Sequence, residues 1–305
     1  MRMSHDANLS PKTRVLNHLR RVFQLPMLEP LLARFTRGAA VASVRGRLPP
    51  NHYQYAPRTM RRVETPEGLT FRVDLGTLHG WVIYFGLRDP SLEKLYEMIR
   101  PGMRIIDVGA NIGEVCLRMA HRAGPQGRVL AFEPFPDTWD LLQDNLKSNP
   151  DHPVTAVKVA LGDERGTVGM ESPDPTNAGR NRVALEQGET VEGPRVTVLP
   201  LDEYLRDSPL DHIDLIKIDV EGFEARVLQG ALQTIRQHRP VVFLELDDDY
   251  LRMRGASVAQ IVAFFDEIDY KVVRALTNEP LDPGEKFLGQ HFDGVARARA
   301  EACDE

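Results

Sequence analysis

The sequence predicts an α/β protein built on a doubly wound parallel sheet, with a helical extension at its N-terminus. Three observations carry that expectation. From residue 104 onward, short apolar runs alternate with amphipathic stretches of helical period. The runs are apolar throughout rather than at every second residue, as a sheet covered on both faces requires. The first 62 residues differ from the rest in charge and in proline punctuation. Of 305 residues, 42% are hydrophobic and 27% charged, the balance of a folded chain rather than a disordered, collagenous or membrane-embedded one.

Up to residue 62, twelve basic residues face only Asp6 and Glu29, a net +10 that leaves −16 for the remainder. Leu16, Leu19, Val22 and Phe23 recur at helical spacing, as do Leu28, Leu31, Leu32 and Phe35, with Pro26 and Pro30 between them. Short amphipathic helices are expected here, packed on the body or on a second subunit, which would make the extension a homodimer contact. A basic helix lying on an anionic membrane, or shaping a substrate entrance, is the alternative. Residues 63–100 read as a β-rich lead-in, VETPEGLTFRVDL followed by the aromatics Trp81, Tyr84 and Phe85, then a helix over 91–99 ended by Pro101 and Gly102.

The sheet-forming domain is placed at 101–290 and a C-terminal tail at 291–305. Strands are predicted at 104–108, 128–133, 154–161, 213–220, 240–246 and 270–276, and helices at 112–122, 136–149, 223–238 and 257–268. Right-handed crossovers between such units put ligands at the carboxyl ends of the strands.

Cys116 and Cys303 are far apart and have no metal-binding spacing, so two free thiols in a reducing compartment are expected. The N-terminus lacks the apolar core of a secretory signal, and no run approaches the ~18 apolar residues of a membrane span. A cytoplasmic location is expected. The net charge of −6 argues against duplex binding, and the absence of an Asn/Asp-Pro-Pro-Tyr/Phe sequence after the fourth strand argues against base methylation; no nucleic-acid partner is expected.

The first strand exits into IIDVGANIG, residues 105–113. Gly109 and Gly113 allow close approach to backbone N–H groups, and Asp107 stands at the strand end. Their spacing is not that of a G-x-G-x-x-G fingerprint, which disfavours a pyrophosphate and hence a dinucleotide. Glu133, at the end of the second strand, is placed to bind ribose hydroxyls. In VALGD, Asp163 can accept from an adenine amine while Leu161 packs on the ring, and Asn111 is a candidate for the amino-acid portion of the ligand.

IIDVGANIG, FEP (132–134), VALGD (159–163), IKIDVEGFEARVLQGA (216–231) and VVFLEL (241–246) together resemble the FkbM family of S-adenosylmethionine-dependent methyltransferases, over about residues 100–250. The resemblance implies a class I methyltransferase (Rossmann-like) sheet of seven strands. Its last strand would be antiparallel and fall near Lys286 to Gln290. It also implies S-adenosylmethionine as cofactor, held by Asp107, Gly109, Ala110, Asn111, Gly113, Glu133, Pro134, Leu161 and Asp163. The loop NAGRNR (177–182) is similar to one the family carries near its active site, which makes Asn177 and Arg182 candidate substrate-binding residues; an ordinary solvated insertion is the other reading.

Lys217, Asp219 and Glu221 fall at i, i+2, i+4 and would project to one side of an extended strand, with Glu245 beside them. These four are the candidate catalytic residues, able to hold a poised base. Alternatively Lys217 simply neutralises Asp219 and Glu221 favours a helix N-terminus. Asp219, Glu221 and Glu245 could also ligate a divalent cation, although no metal is assigned. His79 and His212 are weak candidates for the base. The expected reaction is methyl transfer to a hydroxyl of a small molecule or glycan, oxygen being the family's preference. N-methylation of a small molecule and a non-catalytic nucleoside-binding protein are the alternatives.

Overall fold

The computed structural model describes residues 11–172, 182–184 and 193–299. Described residues up to Glu93 form one compact unit and those from Lys94 onward another. In the first, α1 (Pro11–Arg20) and α2 (Leu28–Thr36) flank a 3-10 turn, and β1 (Met60–Glu64) pairs antiparallel with β2 (Thr70–Asp74), Val63 opposite Phe71. The aromatic run expected to extend this β lead-in is instead helical, α3 (Leu78–Tyr84), capped by the Thr77 side chain, which accepts from the Gly80 N–H. Residues 81, 84 and 85 lie three and four apart, so one buried helical face takes all three rings, and that period outweighs their β propensity. α4 (Pro90–Met98) carries the chain into the second unit.

There the chain runs β3 (Arg104–Val108), α5 (Glu114–Ala123), β4 (Arg128–Phe132), α6 (Pro136–Lys147) and β5 (Val154–Val157). After β6 (Ala160–Leu161), β7 (Gly166–Glu171), β8 (Arg182–Val183) and β9 (Arg195–Leu199) come α7 (Leu201–Asp207) and β10 (Leu215–Ile218). The chain continues through α8 (Glu224–Gly230), α9 (Leu232–His238), β11 (Val241–Asp247), α10 (Asp248–Met253), α11 (Val258–Glu267), β12 (Tyr270–Arg274) and β13 (His291–Ala298). Seven of these strands make one sheet in the order β12, β13, β11, β10, β3, β4, β5. β13 runs antiparallel to both its neighbours, while β11, β10, β3, β4 and β5 pair in parallel. Ile106, Ile216, Val242 and Leu244 are fully buried at its centre, which is why these strands read as unbroken apolar runs.

Three further expectations need correction. The predicted strand 154–161 is split: β5 joins the main sheet, whereas β6 belongs to a separate sheet ordered β6, β9, β7, β8. Between them the charged Lys158 interrupts the apolar run and sets its ammonium over the Trp139 ring. The predicted helix 223–238 is two helices, because the Gly162 carbonyl packs where a Cβ on Gly230 would stand and Ala231 leaves the helical conformation. The last strand lies at His291–Ala298, not near Lys286 to Gln290, so the tail expected from residue 291 supplies an interior strand. Its Gly, Asp and Arg residues disguise it among loops. No described helix is long and apolar enough to cross a membrane.

Candidate active site

β3 hands the chain to a tight turn over residues 109–113. Gly109 has φ +84°, and a Cβ there would collide with the Asp219 carbonyl oxygen, so glycine lets the ends of β3 and β10 close on each other. All five amides of this turn are already used: Gly109 and Ala110 donate to Phe132 O, Asn111 to Glu133 Oε2, Ile112 to Asn111 Oδ1 and Gly113 to Ala110 O. The expectation that the glycines free backbone N–H groups for a ligand is therefore corrected. The chain's own acceptors occupy them, and a phosphate would find no donors in the turn.

Glu133 is the hub of that arrangement. Besides Asn111, it accepts from the Phe135 N–H and the Thr138 hydroxyl, each at 2.8 Å. Burial pushes its pKa up, opposed by these donors. A carboxylate offers about four lone-pair directions, so three partners leave capacity for one more. Pro134 is half-buried at the step into α6.

Asp107 and Lys217 stand opposite each other in the β3 and β10 register, 3.3 Å apart and both buried. Lys217 also reaches Asp219 at 3.3 Å and donates to the Gly109 carbonyl at 3.0 Å. Burial alone would lower the Lys217 pKa, but the two carboxylates outweigh it and keep the ammonium charged. Burial raises Asp107, against the pull of Lys217. One cation thus ties strand β3, the glycine turn and Asp219 together.

β10 ends at Ile218, one residue short of Asp219 and three short of Glu221. The expected same-side projection along one extended strand therefore fails at Glu221, which sits in a left-handed turn at φ 54°. The carboxylates nonetheless converge: Asp219, Glu221 and Glu245 each offer an oxygen within 4.8 Å of the others, close enough to hold a cation or share a proton. Burial first, then the charges of Asp219 and Glu221, push the Glu245 pKa well up. Gly222 follows at φ +95°, with Tyr250 O only 2.8 Å from where its Cβ would be.

Two residues of this neighbourhood escape sequence reasoning. His291, the first residue of β13, sets Nε2 3.0 Å from Glu245 Oε1 and Nδ1 3.6 Å from Asp247. Glu224 is buried and accepts from the Val220 and Gly222 amides at 3.1 Å each, with burial pushing its pKa up to about 7. Only the antiparallel return of β13 brings His291 home, whereas Glu224 carried a local signal as an acid at a helix start.

The remaining candidates have partners of their own. Asp163 faces Arg226, both oxygens at 3.2 Å, and Leu161 is buried in the core. Arg182 donates to Glu171 at 2.7 Å and lies over the Tyr250 ring. Asn177 falls outside the described residues. His212 pairs with Asp214 at 3.2 Å, ahead of β10 and so at the other end of that strand from Asp219. His79 is on α3 in the first unit.

A seven-stranded sheet whose last strand in sequence slots antiparallel between the fifth and sixth, with acids gathered at the carboxyl ends of its central strands, defines a class I methyltransferase fold. The Methyltransferase FkbM domain matches residues 107–272, more than half of the chain, and the chain belongs to that family. Among curated relatives it is 32% identical to methyltransferase sdnD of Sordaria araneosa, over 41% of this chain and 59% of that one. It is 33% identical to hexuronic acid methyltransferase AglP of Haloferax volcanii, over 42% and 51% respectively. With 2-O-methyltransferase NoeI of Sinorhizobium fredii it shares 26% over 54% and 74%. The chain thus spans 59% and 51% of the lengths of sdnD and AglP.

Proposed function

We propose that this protein transfers a methyl group from S-adenosylmethionine to a hydroxyl group of a small molecule or glycan. The observation that carries this reading is the cluster of Asp219, Glu221, Glu245 and His291 set beside the glycine turn. The turn's donor set fits a nucleoside without phosphates: its amides are closed to anions, and Glu133 retains one acceptor direction for a ribose hydroxyl. The bound cofactor would supply an electrophilic methyl group on a sulfonium.

This chain's residues have the remaining tasks of aligning an acceptor oxygen and removing its proton. Asp219, the more open partner of the buried Lys217, is the group that takes the hydroxyl proton. Lys217 holds that carboxylate at the strand end. Glu245, whose pKa burial and the neighbouring acids push up, and His291 beside it offer that proton a route toward solvent. The name of AglP, a hexuronic acid methyltransferase, supports a sugar-like acceptor, and that of NoeI, a 2-O-methyltransferase, supports oxygen as the acceptor atom.

Isotopically labelled S-adenosylmethionine, offered with a panel of sugars, uronic acids and hydroxylated small molecules, tests the reading by mass spectrometry. An alkali-stable methyl ether is expected. Label in an amine, or in an alkali-labile ester, would contradict the hydroxyl acceptor, and no transfer to any acceptor despite cofactor binding would favour a non-catalytic nucleoside-binding protein.

A further inference from the structure

In α1, α2 and the turn between them, the usual sorting of side chains is inverted. Asn17, Glu29 and Thr36 are buried, whereas Leu16, Leu19, Val22, Met27, Leu31 and Phe35 are exposed, Met27 at 83% and Leu31 and Phe35 at 64% and 60%. The polar positions are built into the first unit. Glu29 pairs with Arg61 at 2.7 Å, Asn17 donates to the Tyr53 hydroxyl at 3.1 Å, and the Thr36 hydroxyl lies 2.8 Å from Phe85 O. The helices are therefore docked through faces that carry Asn17, Glu29 and Thr36 together with Leu32, and Leu16, Leu19, Leu31 and Phe35 are turned outward. Leu31 and Phe35, four apart on α2, share one face, and Leu16 and Leu19 stand three apart on α1. An apolar set of this density marks an interaction surface.

Charge says what covers it. Residues 11–62 contain one acid, Glu29, which is buried and paired, while Arg21, Arg34, Arg37, Arg45 and Arg47 are exposed. We propose that this segment seats on an anionic lipid bilayer, its leucines and Phe35 entering the headgroup boundary and its arginines meeting lipid phosphates. A second copy docked on the same face would set two segments of like charge, each +10, against each other, as two-fold symmetry demands. A head-to-tail contact of this segment with another copy's acidic body would satisfy the arginines but builds a ring or a filament, heterologous forms that are rarer than two-fold dimers. The bilayer meets both the apolar and the basic character at once. No described helix can span it, so the association is with one leaflet.

The full chain should be co-sedimented with vesicles of equal parts phosphatidylcholine and phosphatidylglycerol, and with vesicles of phosphatidylcholine alone. Binding to the anionic vesicles is expected to be at least ~10-fold tighter and to weaken with salt. The exposed pair Leu31→Ser with Phe35→Ser, and separately Arg21→Gln with Arg34→Gln, should each reduce it at least ~10-fold while circular dichroism stays unchanged. Equal binding to both vesicle types would overturn the proposal. So would absence of vesicle binding together with a dimer, seen by sedimentation equilibrium, that Phe35→Ser dissolves; that result would assign the face to a second copy. None of these readouts depends on methyl transfer.

Discussion

Asp219 serves twice, through different atoms. Its carbonyl oxygen packs against Gly109, and its carboxylate lies between Lys217 and the acids Glu221 and Glu245. Replacing it by Asn keeps the shape and removes the proton acceptor, so Asp219→Asn should lower kcat by ~10²–10⁴-fold with an unchanged far-UV spectrum. His291 touches Glu245, and His291→Gln should lower kcat roughly 10-fold with little change in KM. Because burial and neighbouring charges raise Glu245, the cluster releases its shared proton at higher pH than a lone carboxylate would. Activity should therefore rise with pH along its acid limb. Glu245→Gln removes the like charge and should move that limb to lower pH, which a kcat/KM profile reads directly.

At the scale of elements, the turn after β3 and the turn after β10 hold each other in place. An alanine at Gly109 would need φ +84° and would push the Asp219 carbonyl away, so Gly109→Ala should destabilise by about 3 kcal/mol or more in denaturant titration. The turn ahead of α8 contains a second lever. Glu224 has a folded-state pKa of about 7 against an ordinary 4.5, so the folded protein holds more protons than the unfolded chain between those values. Stability should then fall by about 3 kcal/mol as pH rises through that window, and Glu224→Gln, which can still accept from the turn amides, should flatten the loss. The central strands were legible because parallel strands buried on both faces write unbroken apolar runs. β13 was not, since an antiparallel strand carrying Gly294 and Arg297 has no such run, and with it went His291. The glycine turn was found for a partly wrong reason: its glycines serve backbone contact within the protein, which only the closure of β3 on β10 reveals.

For the whole molecule, the charge division was visible in sequence, but the inversion of α1 and α2 was not. Periodicity marks an apolar stripe without saying which way it faces, and here Glu29 and Thr36 face inward. The proposed reaction requires that the carboxyl edge of β3, β4 and β10 hold S-adenosylmethionine. A ligand bound only by the folded state stabilises it by about 2.7 kcal/mol at a hundredfold excess over Kd, so thermal melts with S-adenosylhomocysteine should shift upward. The most direct measurement is isothermal titration calorimetry of the full chain with S-adenosylhomocysteine and, in parallel, NAD. Saturable heat near one equivalent is expected for the first and none for the second, as amides closed to phosphate require. Heat with NAD and none with S-adenosylhomocysteine would contradict that requirement.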